Sequence, residues 1–81
     1  MGMLRVISKR GDDRVQWNEQ DAQAGDAEAI AAIREAERIF AQERARGATA
    51  FRLEASKPAE RIEQFDPLAG QIILVPRVIG G

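Results

Sequence analysis

The chain has 81 residues, of which 44% are hydrophobic and 31% charged, so its composition is that of one ordinary globular domain. Its 12 basic and 13 acidic residues are interspersed and leave a net charge of −1. The sequence has no basic stripe that would neutralise phosphates, which argues against nucleic acid as the main partner. Cysteine and histidine are absent, which excludes disulfides, thiolate nucleophiles, thiolate–zinc sites and a histidine general base.

The first part of the chain predicts a β-hairpin. Residues 3–8 and 14–17 form its two strands, and a charged turn joins them. Alternation places Ile7 on the face that points away from the core. We expect Trp17, the single tryptophan, to lie in the core or at its edge rather than to stack on a ligand. The hairpin residues predicted to face inward are Leu4, Val6, Val15 and Trp17.

A long amphipathic helix is the next predicted element. Residues 18–25 are polar and without periodicity, which predicts a loop. Asp26 is a good N-cap, and residues 27–46 are strong helix formers. Gly47 then predicts a left-handed end to the helix. The predicted inner stripe consists of Ala29, Ile33, Ala36 and Phe40.

Residues 48–65 predict a third strand and an irregular segment. Residues 48–55 form the strand, with Phe51 and Leu53 inward, and residues 56–60 form a turn. Residues 61–65 predict a short fourth strand, but its two anchors are three positions apart, which a bulge or a helical turn would explain equally. These anchors are Ile62 and Phe65.

The last predicted strand is buried on at least one face. Residues 66–70 form a turn in which Leu68 tucks under the domain. Residues 72–75 are all apolar and three of them are β-branched, which is typical of a buried strand. Pro76 ends the strand because it has no backbone N–H to donate. We expect one domain over residues 1–81 with a flexible arm at 76–81.

The order of hairpin, long helix, strand, short strand and strand predicts a two-layer α+β domain. Residues 74–81, with the sequence LVPRVIGG, resemble the ending of ubiquitin and of prokaryotic sulphur carriers, in which the last strand runs into Gly-Gly. The resemblance implies the β-grasp fold, a mixed sheet with its first and last strands parallel at the centre. The chain departs from ubiquitin in its longer helix, in Pro76, and in residues 56–65, which have no convincing match.

The resemblance also implies a function. An ATP-dependent, E1-like activating enzyme would adenylate the carboxylate at Gly80-Gly81 and would read Arg77 and Ile79. An E2-like enzyme and a JAB-type deconjugating protease would be further partners, and target proteins would receive the modifier. The protein would be a substrate rather than an enzyme, with no catalytic residue, cofactor or metal of its own. The chain has two lysines, Lys9 and Lys57, so few sites exist for self-conjugation.

Two other functions stay open on the sequence. One is a sulphur carrier that forms a C-terminal thiocarboxylate. The other is a β-grasp interaction module that conjugates nothing, such as a phage tail-assembly component. Whichever function applies, alternation predicts an outward apolar patch of Ile7, Ile73 and Val75, which either binds a partner, as the equivalent face does in ubiquitin, or is covered by long side chains such as Arg5. No apolar run reaches membrane-spanning length, so we expect no membrane contact. The expected compartment is the cytoplasm, with which the absence of cysteine is compatible.

Overall fold

The computed structural model of the protein describes residues 1–8 and 11–77. Neither of the two helices within these ranges is long and apolar enough to cross a membrane. The elements are β1 (Gly2–Ser8), β2 (Gly11–Trp17), α1 (Glu19–Gln23), α2 (Ala27–Ala45), β3 (Thr49–Leu53), β4 (Glu60–Ile62) and β5 (Gln71–Val75).

The strands form one mixed sheet in the order β2-β1-β5-β3-β4. The hairpin strands β1 and β2 are antiparallel, and β3 is antiparallel to both β4 and β5. The one parallel pair among these strands joins β1 to β5, with Leu4 opposite Ile72 and Val6 opposite Leu74. With α2 on one face, this is a β-grasp arrangement, and the predicted fold class is confirmed. The last strand is central, as its apolar composition indicates.

The core lies between α2 and the inner face of the sheet, and small residues let the two layers approach closely. Ala36 and Ala50 are completely buried, and so are Leu4, Ile72 and Leu74. Phe40 and Trp17 supply the bulk, and both pack against Phe65, with ring centroids 5.9 and 5.7 Å from it. In the part of the chain that the structure describes, the buried apolar residues are Leu4, Val6, Trp17, Ala29, Ala36, Phe40, Ala48, Ala50, Ala69, Ile72 and Leu74.

Local sequence determines where α2 begins and ends. Asp26 is its N-cap, and the carboxylate accepts a hydrogen bond from the Glu28 amide at 2.9 Å. The helix ends at Ala45, one residue before the predicted end, and Arg46 is the C-cap. Gly47 follows with a φ of +95°, a left-handed conformation that glycine adopts without a steric penalty. The predicted caps are therefore confirmed.

The predicted loop at residues 18–25 is wrong, because a short helix, α1, occupies Glu19–Gln23. Asn18 caps it: its side-chain oxygen accepts from the amides of Gln20 at 2.9 Å and Asp21 at 3.1 Å. So short a helix has no room for an apolar stripe, and none of its residues is buried. The cap was thus its main sequence signal.

The predicted orientation of β3 is also wrong. Ala48 and Ala50 face the core, whereas Phe51 and Leu53 lie on the opposite face. The register shows why: Ala50 lies opposite the buried Leu74, so Phe51 falls on the other side of the pleat. The strand is also shorter than predicted and spans Thr49–Leu53. Alanine fills the limited space beneath the helix, and the larger side chains are directed outward.

The segment after β3 shows why the two anchors of the predicted fourth strand are three positions apart. It also corrects the prediction for the turn that follows. Strand β4 covers only Glu60–Ile62, and Phe65 reaches the core from the bend that follows it. In the next turn, Asp66 accepts from the Leu68 amide at 2.9 Å. The prediction that Leu68 tucks under the domain is wrong, because Leu68 is 66% exposed. Ala69, which is 2% exposed, takes the inward position instead.

Candidate functional site

Strand β5, which precedes the last residues of the sequence, lies at the centre of the sheet. Strand β5 pairs with β1 on one side and with β3 on the other, so its backbone is held from both sides. It ends at Val75, and the exposed Pro76 and Arg77 follow. The predicted activation residues Gly80 and Gly81, and the predicted recognition residue Ile79, lie outside the described residues.

Arg77 is held at the point of exit by its contact with the end of α2. A Cβ atom on Gly47 would lie 3.2 Å from the Arg77 Cδ and 3.5 Å from its Cβ. The aliphatic stem of Arg77 therefore uses the space that the missing side chain of Gly47 leaves. No residue in the described ranges accepts a hydrogen bond or forms an ion pair with its guanidinium. The stem of this exposed arginine thus packs against Gly47.

The face of the sheet opposite α2, here called the outer face, carries apolar side chains from three strands. Ile72 and Leu74 are completely buried against the helix, so Ile73 and Val75 point to the outer face. Ile7, which is 40% exposed, lies on the same face of β1. The apolar side chains of β1, β3 and β5 on this face are Met3, Ile7, Phe51, Leu53, Ile73 and Val75.

Sequence reasoning missed Phe51 and Leu53 as members of this surface. Phe51 lies directly opposite Ile73, and Leu53 lies opposite Gln71, so both extend the apolar area toward β3. One signal was present in the sequence: Ala48 and Ala50 recur at every second position, as the small residues beneath a closely packed helix do. The prediction instead gave priority to side-chain size.

Arginines accompany the apolar residues of the outer face. By register, Arg14 lies opposite Arg5 and Arg61 lies opposite Phe51, so three guanidinium groups share the face. Arg5 and Arg14 both have interaction partners. Long arginine stems cover apolar surface while their charged ends reach water. The outer face therefore combines apolar side chains with the stems of arginines.

Arg52 connects the margin of the sheet to the turn before β5. It lies on the inner face beyond the helix, and its Nη1 donates to the Asp66 carboxylate at 3.0 Å. Its Nη2 donates to Glu60 at 2.6 Å. These hydrogen bonds, first to Asp66 and then to Glu60, raise the pKa of the Arg52 guanidinium. These two carboxylates explain why a charged residue, Arg52, can stand on a strand face that is otherwise buried. Its role is structural.

No protein-family model, curated protein or solved structure matches the chain. Within residues 1–8 and 11–77, no cluster of three or more acidic side chains is arranged to hold a metal ion. The function must therefore be inferred from the fold, from the segment that follows β5 and from the outer face.

Proposed function

We propose that the protein is a prokaryotic-type ubiquitin-like modifier that is activated at the carboxylate of Gly81. One observation supports this most: the segment that ends in Gly80-Gly81 continues directly from β5, the central strand, which is paired on both sides. A partner that pulls on this segment works against a rigid body. Partner proteins would then bind the folded domain, and the last residues would supply the reactive carboxylate.

The proposed chemistry needs no catalytic group on this chain. The carboxylate attacks the α-phosphate of ATP, pyrophosphate leaves, and an acyl-adenylate forms on an E1-like enzyme. A thiolate of that enzyme displaces AMP to form a thioester, and a target amine then displaces the thiolate to form an amide bond. An E2-like enzyme would carry the thioester, and a JAB-type protease would hydrolyse the amide. Because this series of reactions requires ATP, we propose that the protein acts in the cytoplasm.

Residue properties at the end of the chain support the same proposal. Gly80 and Gly81 have no side chains, so an extended backbone can enter a narrow catalytic channel. Arg77 presents a guanidinium that no residue of 1–8 or 11–77 pairs with, three positions before this pair, where an activating enzyme would read it together with Ile79. Its stem is positioned by Gly47, which lowers the entropic cost of recognition.

A mass-spectrometric assay tests the proposal. A protein that ends at Gly81 is incubated with ATP and candidate activating enzymes, and the intact mass is measured. We expect an adenylate, and then a covalent conjugate when a target is supplied. A variant without Gly80 and Gly81 is the matched control and should remain unmodified. If the two proteins give the same mass profile, the conjugation hypothesis is wrong. A thiocarboxylate that forms when a sulphur donor is supplied would instead identify a sulphur carrier.

The outer face favours a second candidate, a β-grasp interaction module without covalent chemistry. Phe51, Leu53, Ile73 and Val75 are only half-buried in the isolated chain, and such surfaces mark protein contacts. In this case Ile73→Asp should abolish a partner complex isolated from the native cell, and removal of Gly80 and Gly81 should leave it intact. The opposite pattern would favour the modifier. A phage tail-assembly component is one example of such a module.

A further inference from the structure

A cleft of about 310 Å³ opens where α2 ends above the carboxyl ends of β1 and β5. It exists because the apolar stripe of α2 ends at Phe40, and the next turn presents Glu43 in place of an apolar side chain. Among the described residues, nothing large therefore covers this end of the sheet. The walls include Val6, Ala48, Leu74 and Pro76, and the mouth includes Arg46 and Arg77.

Among the described residues, the charges at the mouth are not balanced. Arg44 donates from Nη1 to the Ala48 carbonyl at 3.0 Å, so this arginine is already bound. Arg46 forms an ion pair with Glu43 at 3.5 Å, which neutralises both groups. Arg77 remains, with its stem packed against Gly47 and its guanidinium unpaired among the described residues. The cleft therefore offers apolar space next to one positioned cation.

We propose that this cleft binds an acidic peptide segment of a partner protein. A branched aliphatic side chain of the segment enters the cleft, and a neighbouring carboxylate pairs with Arg77. Burial of the aliphatic group supplies most of the affinity, since apolar area removed from water is the main favourable term. The ion pair with an exposed arginine contributes less and selects for negative charge. This binding goes beyond the proposed function and does not depend on it.

The test is an NMR titration of the ¹⁵N-labelled full chain, without ATP or enzymes. The probe is the peptide Asp-Glu-Ile-Asp, blocked at both ends. Two matched probes are Asp-Glu-Ser-Asp, which lacks the aliphatic group, and Lys-Arg-Ile-Lys, which reverses the charge. We expect the first probe alone to shift the amides of Ile7, Ala48 and Arg77. Equal responses to all three probes, or no response to the first, would overturn the proposal.

Charge variants test the role of the cation. Arg77→Glu should weaken binding of the acidic probe by about tenfold or more, because it replaces an attractive charge pair with a repulsive one. Arg77→Lys should retain most of the binding. Arg34→Glu, on the exposed side of α2, makes the same change in net charge far from the mouth of the cleft and is the control. If Arg34→Glu weakens binding as much as Arg77→Glu, general electrostatics explain the affinity and the proposed site is wrong.

Two other occupants of the cleft are distinguished by the same spectra. If the amides of Ile7 and Ala48 shift with protein concentration alone, a second copy of the chain fills the cleft. If removal of residues 78–81 changes these amides and strengthens binding of the probe, the chain's own end competes for the cleft. Either result would contradict the proposal that a partner's acidic segment is the natural occupant. Thermal unfolding of each variant verifies that the fold is retained.

Discussion

Replacement of Gly2 by alanine tests how tightly the first strand packs against the single tryptophan. A Cβ atom at this position would overlap the Cε2, Nε1 and Cζ2 atoms of the Trp17 indole. The indole cannot easily move, because it is 3% exposed and packs against Phe65 with ring centroids 5.7 Å apart. Its Nε1 also donates to the Pro67 carbonyl at 3.0 Å. Gly2→Ala must therefore displace a large buried group.

The expected loss of stability follows from three contributions. Overpacking of a well-packed core costs about 1–3 kcal/mol. Loss of the hydrogen bond from the indole to Pro67 costs about 1 kcal/mol. Alanine recovers about 0.5–1 kcal/mol relative to glycine within a strand, because glycine loses more conformational entropy on folding. The free energy of unfolding should therefore fall by about 1–3.5 kcal/mol.

Urea unfolding followed by tryptophan emission is the measurement, since Trp17 is the only tryptophan in the chain. We expect a lower midpoint and a change in the emission of the native state as the indole leaves its site. Gly25→Ala is the matched control: Gly25 has a φ of +89° and no atom within 4 Å of its added Cβ. It should cost about 1–2 kcal/mol through backbone strain alone, with unchanged emission. An unaltered midpoint and emission in Gly2→Ala would refute the packing argument.

Three further changes probe other parts of the domain. Leu74→Ala should lower the free energy of unfolding by about 2–5 kcal/mol, because the side chain is completely buried, whereas Leu68→Ala, at an exposed position, should change it by less than about 0.5 kcal/mol in the same urea experiment. The hydrogen bonds from Arg38 lower the pKa of the Glu35 carboxyl, so their contribution is present at neutral pH and is lost as the pH falls through the lowered pKa. The difference in stability between Glu35→Gln and the unmodified protein should then shrink toward zero in acid, and a constant difference from pH 7 to pH 2 would contradict the assignment. Asn18→Ala should speed hydrogen exchange of the two amides that it caps at the start of α1, by about five- to tenfold, because a helix N-cap contributes about 1 kcal/mol; unchanged exchange would show that the cap does not hold the helix.

The outer face shows how far residue patterns alone define a candidate site. Alternation in β5 was sufficient to direct Ile73 and Val75 away from the helix, because successive side chains of a strand point to opposite faces. The same rule could not orient β3, since both of its faces carry apolar residues. Only the pairing of Ala50 with Leu74 decided that Phe51 belongs to the outer face.

Contacts between distant parts of the chain explain the other differences. Trp17 needed a hydrogen-bond acceptor if it was buried, but nothing near it in the sequence indicates that Pro67 supplies one. Likewise, the contact of Arg77 with Gly47 joins the exit of β5 to the end of α2. The cleft beside Arg77 arises from the same meeting of elements and has no local sequence signal.

The amino-acid sequence by itself determined the long helix with both of its caps, the central apolar strand and the α+β class. These features depend on residues within a few positions of one another, where periodicity and hydrogen bonding to the backbone are decisive. The tertiary structure alone decided which face of β3 is buried, that Ala69 rather than Leu68 turns inward, and where the cleft lies. Each of these depends on the space left between elements that are far apart in the chain, and that space exists only after the layers have packed.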